Sequence, residues 1–230
     1  VFRLAKKLGN FNTNVLLTGE SGVGKDEVAK FIHKNGLRAS KPYVAVNCGA
    51  VPENLLESEL FGYENGAFTG ALKCGKKGLF EQAEGGVLFL DEVAEIPQSL
   101  QVKLLRALEN REIMRLGGTK LIPLNVRIIA ATNQDLPAMV KNGSFREDLY
   151  YRLNVVNIRI PSLRERKDEI PLLCLKFVHY YNRQYGENKK MTYPVIREFE
   201  KYSWPGNIRE LKNVIENMFV LSDGEYLNVR

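Results

Sequence analysis

The sequence predicts an α/β fold: a five-stranded parallel sheet flanked by helices, with a smaller C-terminal helical lid. Three observations carry this reading. Short β-rich runs alternate with amphipathic helical patterns up to Pro161, as the strands and helices of a doubly wound sheet do. One run, Val87-Leu88-Phe89-Leu90, is apolar without a break, as a strand covered on both faces must be. After Pro161 the strand patterns stop and helical periodicity takes over, which divides the chain into a core over 1–161 and a helical subdomain over 162–230.

Composition narrows the class. The 230 residues are 44% hydrophobic and 26% charged, enough to bury a sizeable core, and no apolar stretch reaches the length of a membrane span. The opening Val1-Phe2-Arg3-Leu4-Ala5-Lys6-Lys7 reads as a short amphipathic helix and not as a signal peptide, so we expect a cytoplasmic protein. The net charge of +6 is spread along the chain and is only weak evidence for a nucleic-acid partner. Cys48, Cys74 and Cys174 are odd in number and lack metal-type spacing, and His33 and His179 are isolated. These residues speak against a disulfide framework and a zinc site and are read as reduced thiols and ordinary histidines.

Taken in order, a polar turn over 10–14 leads into the strand Val15–Thr18, then Gly19-Glu20-Ser21-Gly22-Val23-Gly24-Lys25-Asp26, then a helical pattern of Val28, Ala29, Phe31 and Ile32. Glycines between a strand and a helix let backbone N–H groups converge, and the helix start adds the positive end of its dipole; such a nest binds phosphate. Lys25 can reach the outer phosphates of a nucleoside triphosphate. Asp26 stands where most such loops carry a Ser or Thr that holds Mg2+. Alone, the motif could still be a glycine-rich turn; the rest of the chain decides.

Pro42 to Asn47 forms the next strand. Asn47 at its end can orient a neighbouring carboxylate or simply make a turn. A helix from Glu53 carries Leu55, Leu56, Leu60 and Phe61 and runs into Gly62-Tyr63-Glu64-Asn65-Gly66-Ala67-Phe68-Thr69-Gly70-Ala71. Phe68 there either meets something outside the fold or turns back onto the core. Beyond a short helical stretch over 79–84, the apolar strand ends in Asp91-Glu92. That is a Walker B arrangement, with Asp91 placed to hold Mg2+ and Glu92 to polarise water. Pro97 starts a helix with Leu100, Leu104, Leu105 and Leu108 on one face, and Arg115 to Lys120 reads as a hairpin turn. The strand over 126–131 ends in Thr132-Asn133, a neutral amide where a water or γ-phosphate could be sensed. A helix over 145–153 carries Arg146 and Arg152, and Val155 to Ile160 is the fifth strand.

In the lid, Ser162 and Glu165 have capping-box spacing, Ile170 to Tyr181 is helical, and Lys189-Lys190 falls in a polar loop. Asn207 and Glu210 read as the cap of a last helix with Leu211, Val214, Ile215, Met218 and Phe219 inward. Arg209 lies off that apolar face, as a surface arginine or as a group with an anionic target.

The loop 19–26, Gly66-Ala67-Phe68-Thr69-Gly70-Ala71, Leu88-Phe89-Leu90-Asp91-Glu92, the stretch 145–153 and Trp204-Pro205-Gly206-Asn207-Ile208-Arg209-Glu210-Leu211 resemble the central AAA+ domain of bacterial enhancer-binding proteins, the sigma-54-dependent transcription activators of the NtrC type. The Gly66 to Ala71 loop is the discriminating feature, since other AAA+ ATPases share the Walker motifs without it. The resemblance implies an ATPase that uses ATP and Mg2+. Gly19, Glu20, Ser21, Gly22, Val23, Gly24, Lys25 and Asp26 would hold the nucleotide, Asp91 the metal, with Asp26 a second carboxylate in reach, and Glu92 would activate water. It further implies that Asn47 restrains Glu92, Asn133 is sensor I, Arg209 is sensor II, and Arg146 and Arg152 are arginine fingers reaching a neighbouring subunit. Gly66, Ala67, Phe68, Thr69, Gly70 and Ala71 would touch the sigma-54 factor of RNA polymerase holoenzyme. The expected assembly is a homo-oligomeric ring of six or seven copies that drives closed polymerase–promoter complexes open.

Ala94 and Val87 depart from the family's usual Gly and Ser or Thr, outside the catalytic positions. The family has further residues before Val1 that help form the adenine pocket, and this chain shows neither a receiver domain nor a helix-turn-helix. We therefore expect an isolated module of a two-component-type regulator, with its DNA-binding domain elsewhere and no membrane contact. A second class of function, a nucleotide-dependent assembly switch with little hydrolysis, is less consistent with the paired Glu92 and finger arginines. A helicase-loader type of ATPase leaves the Gly66 to Ala71 loop unexplained.

Overall fold

A computed structural model describes residues 1–67 and 75–227; Phe68, Thr69, Gly70, Ala71 and Cys74 lie outside the described residues. Contacts divide the chain into two units, one of residues 1–18 and 25–159, the other of residues 19–24 and those from Ile160 onward.

The first unit begins with α1 (Phe2–Gly9), β1 (Val15–Thr18), α2 (Lys25–Lys34) and β2 (Tyr43–Asn47). It continues with α3 (Glu53–Phe61), the short pair β3 (Gly62–Tyr63) and β4 (Lys76–Lys77), α4 (Leu79–Gln82) and β5 (Val87–Asp91). Then come α5 (Gln98–Asn110), the hairpin β6 (Glu112–Met114) and β7 (Leu121–Pro123), β8 (Arg127–Thr132), α6 (Leu136–Lys141), α7 (Glu147–Leu153) and β9 (Val156–Arg159). The main sheet has the order β2-β5-β8-β1-β9 and every pair in it is parallel. Its register pairs Asn47 with Asp91 and Thr18 with Thr132, so four strands deliver their carboxyl ends to one rim. In doubly wound sheets that rim carries the ligand.

Burial explains the apolar runs. Val87, Leu88, Phe89 and Leu90 are at most 3% exposed, and all six residues of β8 are buried. Each large side chain removed from water there contributes roughly 1.5–3 kcal/mol. Leu100, Leu104, Leu105 and Leu108 of α5 join the same core, as their spacing requires. Arg127, which opens β8, is buried and donates to the carbonyls of Thr13 (3.0 Å) and Leu8 (2.9 Å). Burial among neutral acceptors pushes its guanidinium down to about 10.

The second unit holds α8 (Ile170–Tyr185), β10 (Lys190–Met191), α9 (Tyr193–Lys201), α10 (Asn207–Leu221) and β11 (Tyr226–Leu227). Its core gathers Leu163, Cys174, Tyr181, Phe199, Trp204, Leu211, Ile215 and Phe219. The Ser162–Glu165 capping box forms, with the amide and hydroxyl of Ser162 both donating to Glu165 Oε2 at 2.8 Å. Three expectations are corrected. The lid contains a strand pair, β10 with β11, because two-residue strands are too short to show an alternating pattern. Of the pair expected in a polar loop, Lys190 belongs to β10, and Lys189 stays in the loop but is buried, its Nζ donating to the carbonyls of Phe219 (2.7 Å) and Ser222 (2.6 Å) and capping the end of α10. Asn207 does not cap α10 with its side chain; Gly206 is the N-cap, and the Asn207 carboxamide is used elsewhere.

Candidate nucleotide-binding site

In the first unit the carboxyl end of β5 brings two acids beside the first turn of α2. Lys25 opens that helix and is buried. Asp91 accepts from the Glu92 amide at 3.0 Å. Burial raises the Asp91 carboxyl above the ordinary range and the charges of Glu92 and Asp26 add to it, while the Glu92 amide and the Lys25 charge oppose. Glu92 has left-handed backbone (φ 54°, ψ 45°), a conformation that a non-glycine residue keeps only where its surroundings demand it. A Cβ on Gly49 would lie 2.5 Å from Glu92 Oε2 and 3.4 Å from Asn47 Oδ1, so both side chains border this glycine. Asn47 Oδ1 accepts from the Gly49 (2.9 Å) and Ala50 (3.0 Å) amides. The Asn47 side chain thus makes the turn, and its carboxamide oxygen and the Glu92 carboxylate both border Gly49. The Cys48 thiol is pushed up to about 12 by burial and behaves as an inert core group.

Asp26 is exposed and pairs with Lys30 at 3.3 Å. Asn133 is exposed just beyond β8, whereas Thr132 is fully buried and accepts from the Gln134 amide at 3.0 Å. Among the described residues no three His, Cys, Asp or Glu side chains form a metal cage. An Mg2+ ion keeps several waters and takes one or two carboxylates plus substrate phosphates, and Asp91, partly exposed at the end of β5, is the carboxylate that would meet it.

In the second unit the loop 19–24 is held by side chains that sequence reading did not connect to it. Arg164 donates from both terminal nitrogens to the Glu20 carboxylate, one contact at 2.8 Å. That pairing, with Asn207, holds the Glu20 carboxyl below its usual range. Arg166 donates to the Val23 carbonyl at 2.9 Å and to Glu169 at 3.1 Å. Arg209 donates to Ser21 Oγ at 3.0 Å, so the arginine expected to serve as sensor lies against this loop. Asn207 Nδ2 faces Glu20 Oε2 and the Ser21 carbonyl. These partners lie some 140 to 190 residues apart in sequence; their one local trace is a pair of arginines flanking the capping glutamate.

The two finger candidates differ. Arg146 precedes α7, is exposed, and pairs with Asp148 at 3.0 and 2.6 Å. Arg152, on α7, donates from Nε (3.2 Å) and from one terminal nitrogen (2.9 Å) to the Leu108 carbonyl at the end of α5. At the 66–71 loop only Gly66 and Ala67 are described. Gly66 is left-handed and open around its Cα, and the Ala67 amide donates to the Glu64 carbonyl at 3.2 Å. The loop base is fixed by the β3–β4 pair and by Arg115, which grips Glu64 (3.1 Å) and Glu81 (2.8 and 2.7 Å).

A parallel sheet with a P-loop lysine, a Walker B acid pair and a helical lid defines the AAA+ class of P-loop domains. The family described as the sigma-54 interaction domain matches residues 1–159, and the AAA+ ATPase lid domain matches residues 164–230. The chain therefore belongs to the AAA+ domains of sigma-54-dependent transcription activators. It is 49% identical over 225 residues to the transcriptional regulatory protein FlbD of Caulobacter vibrioides, covering 97% of this chain and 49% of that protein. It is 50% identical over 222 residues to the regulatory protein AtoC of Escherichia coli, covering 95% and 47%. The crystal structure of NtrX from Brucella abortus in complex with ATP superposes with a TM-score of 0.89 at 37% identity, covering 99% of this chain and 52% of that one. The chain thus spans about half the length of these relatives.

Proposed function

We propose that this chain is an ATP-hydrolysing module that couples ATP binding and hydrolysis to remodelling of closed complexes of sigma-54 RNA polymerase, activating transcription. The observation that carries the reading is the juxtaposition of Lys25 with Asp91 and Glu92: one buried cation and two acids at the rim of a parallel sheet. In this reading the core is 1–161 and the lid 162–230. The amides of the loop 19–24 and Lys25 receive the phosphates. Asp91, with Asp26 in reach, holds Mg2+, which when bound neutralises phosphate charge. Glu92 orients and deprotonates the attacking water, and Asn47 restrains it through the surface both share at Gly49. Asn133 and Arg209 sense the γ-phosphate, and Arg146 and Arg152 complete the site of a neighbouring copy in a ring of six or seven. The segment Gly66 to Ala71, through Phe68 and Thr69, carries the output to the sigma factor. Support comes from the family membership and from the ATP complex of the NtrX relative.

The test is ATP hydrolysis with Mg2+, alongside nucleotide affinity, for the chain and for Glu92→Gln. The expected outcome is a loss of about 10²–10⁴ in rate with affinity retained within a few fold. Tight ATP binding by the unsubstituted chain with no hydrolysis under ring-forming conditions would instead favour the assembly switch. Capture of sigma-54 by the chain with a γ-phosphate mimic, lost in Phe68→Ala, tests the output; capture undiminished by Phe68→Ala would refute that assignment.

A further inference from the structure

Asn207 has no exposed surface and holds left-handed backbone (φ 54°) at the first position of α10. Both features are unfavourable unless the surroundings impose them. Its carboxamide is used on both sides. Oδ1 accepts from the Leu163 amide at 2.8 Å, and Nδ2 faces Glu20 Oε2 at 3.1 Å, the Ser21 carbonyl at 3.0 Å and the Pro205 carbonyl at 3.4 Å. A single side chain therefore joins the start of the lid, the turn before α10 and the loop 19–24. Next to it, the Gly22 carbonyl accepts from the Ile208 (3.0 Å) and Arg209 (3.3 Å) amides, so two N–H groups of α10's first turn are spent on this loop. A Cβ on Gly22 would sit 2.4 Å from the Gly206 carbonyl oxygen, which excludes any other residue there.

We infer that Asn207 is the positioning residue of the nucleotide site: it sets the backbone of Gly19–Gly24, and through it phosphate affinity, without touching nucleotide. The inference rests on the reading of 19–26 as phosphate-binding. The chemistry explains why asparagine stands here. Aspartate would turn the donor into an acceptor facing Glu20 and the Ser21 carbonyl, and glycine would suit the backbone but make none of the bonds.

That contrast supplies the test. In Asn207→Gly the backbone strain is relieved, so the chain folds and melts within a few degrees of the unsubstituted protein. Hydrogen exchange of the amides from Gly19 to Gly24 is expected to accelerate about tenfold while the sheet amides stay unchanged, and affinity for a fluorescent ADP analogue to fall about tenfold. Asn207→Asp weakens binding as well, and adding Glu20→Gln exchanges donor and acceptor across the same gap and regains part of the affinity. Loop exchange and affinity both within about twofold of the unsubstituted chain in Asn207→Gly would overturn the inference. So would an affinity loss no larger than the unfolded fraction explains. If the unsubstituted chain bound no ADP, the phosphate-binding reading would fall, and the exchange of the loop amides would still decide whether Asn207 sets their conformation.

Discussion

Glu81 and Arg115 show how single side chains make stability depend on pH. Arg115 donates two hydrogen bonds to the Glu81 carboxylate and holds its pKa below the ordinary range, against the opposing effect of burial. A depressed carboxyl contributes stability that is fully present above the unfolded pKa of about 4.3 and disappears as pH falls through the lowered folded value. Arg115→Met is expected to cost about 2 kcal/mol near neutrality. Melting temperatures followed downward from pH 6 should show the gap between the two proteins closing in the acid range; a constant gap would mean that the arginine acts by packing alone. Asp91 runs the other way, its carboxyl raised chiefly by burial. Neither direction was legible in sequence, because each depends on what burial and folding place around the carboxylate.

At the scale of elements, the helix ends give the sharper lessons. Helix α5 stops at Arg111, in left-handed backbone (φ 54°) at a position where glycine is the usual solution. Arg111→Gly is therefore expected to stabilise the chain by about 0.5–1 kcal/mol, read as a rise in melting temperature; a fall would show that the arginine side chain contributes more than its backbone costs. The end of α10 is closed by Lys189, whose buried Nζ supplies donors to two terminal carbonyls and pairs with Glu187 at 2.8 Å. Lys189→Met keeps the length but leaves those carbonyls unpaired, at a cost of about 1–3 kcal/mol. Hydrogen exchange should speed up in α10 and α8 before the sheet changes; equal exchange everywhere would refute a local role. The cap at Ser162 and Glu165 was readable because both partners lie within one turn, whereas Lys189 acts across 30 residues.

For the whole molecule, the arginines on and beside α7 offer a test of assembly apart from folding. The Arg146 guanidinium is exposed and pairs with Asp148, two residues on, while Arg152 satisfies the last turn of α5. If hydrolysis is shared between copies, specific activity should climb with protein concentration as larger species appear by light scattering. Arg146→Ala should then lower the rate by about 10³-fold or more without moving the melting temperature. Arg152→Ala should do both, since it also removes the donors to Leu108, about 1 kcal/mol. A rate independent of concentration would refute catalysis shared between subunits.

The sequence by itself determined the parallel sheet, the order of strands and helices along the chain and which polar residues stand at the ends of the strands. Buried runs such as 87–90, the glycine spacing of 19–24 and the leucine stripe of α5 are local patterns whose physical meaning is complete within a few residues. Tertiary structure alone decided which side chains hold the loop 19–24. It also made Lys189 a helix cap, gave Glu92 its left-handed backbone, and moved Asn207 from the expected cap to a junction. Each of those outcomes depends on partners far away in the chain. Hydrogen bonding and burial act through space, and sequence spacing carries that information only when the partners share an element.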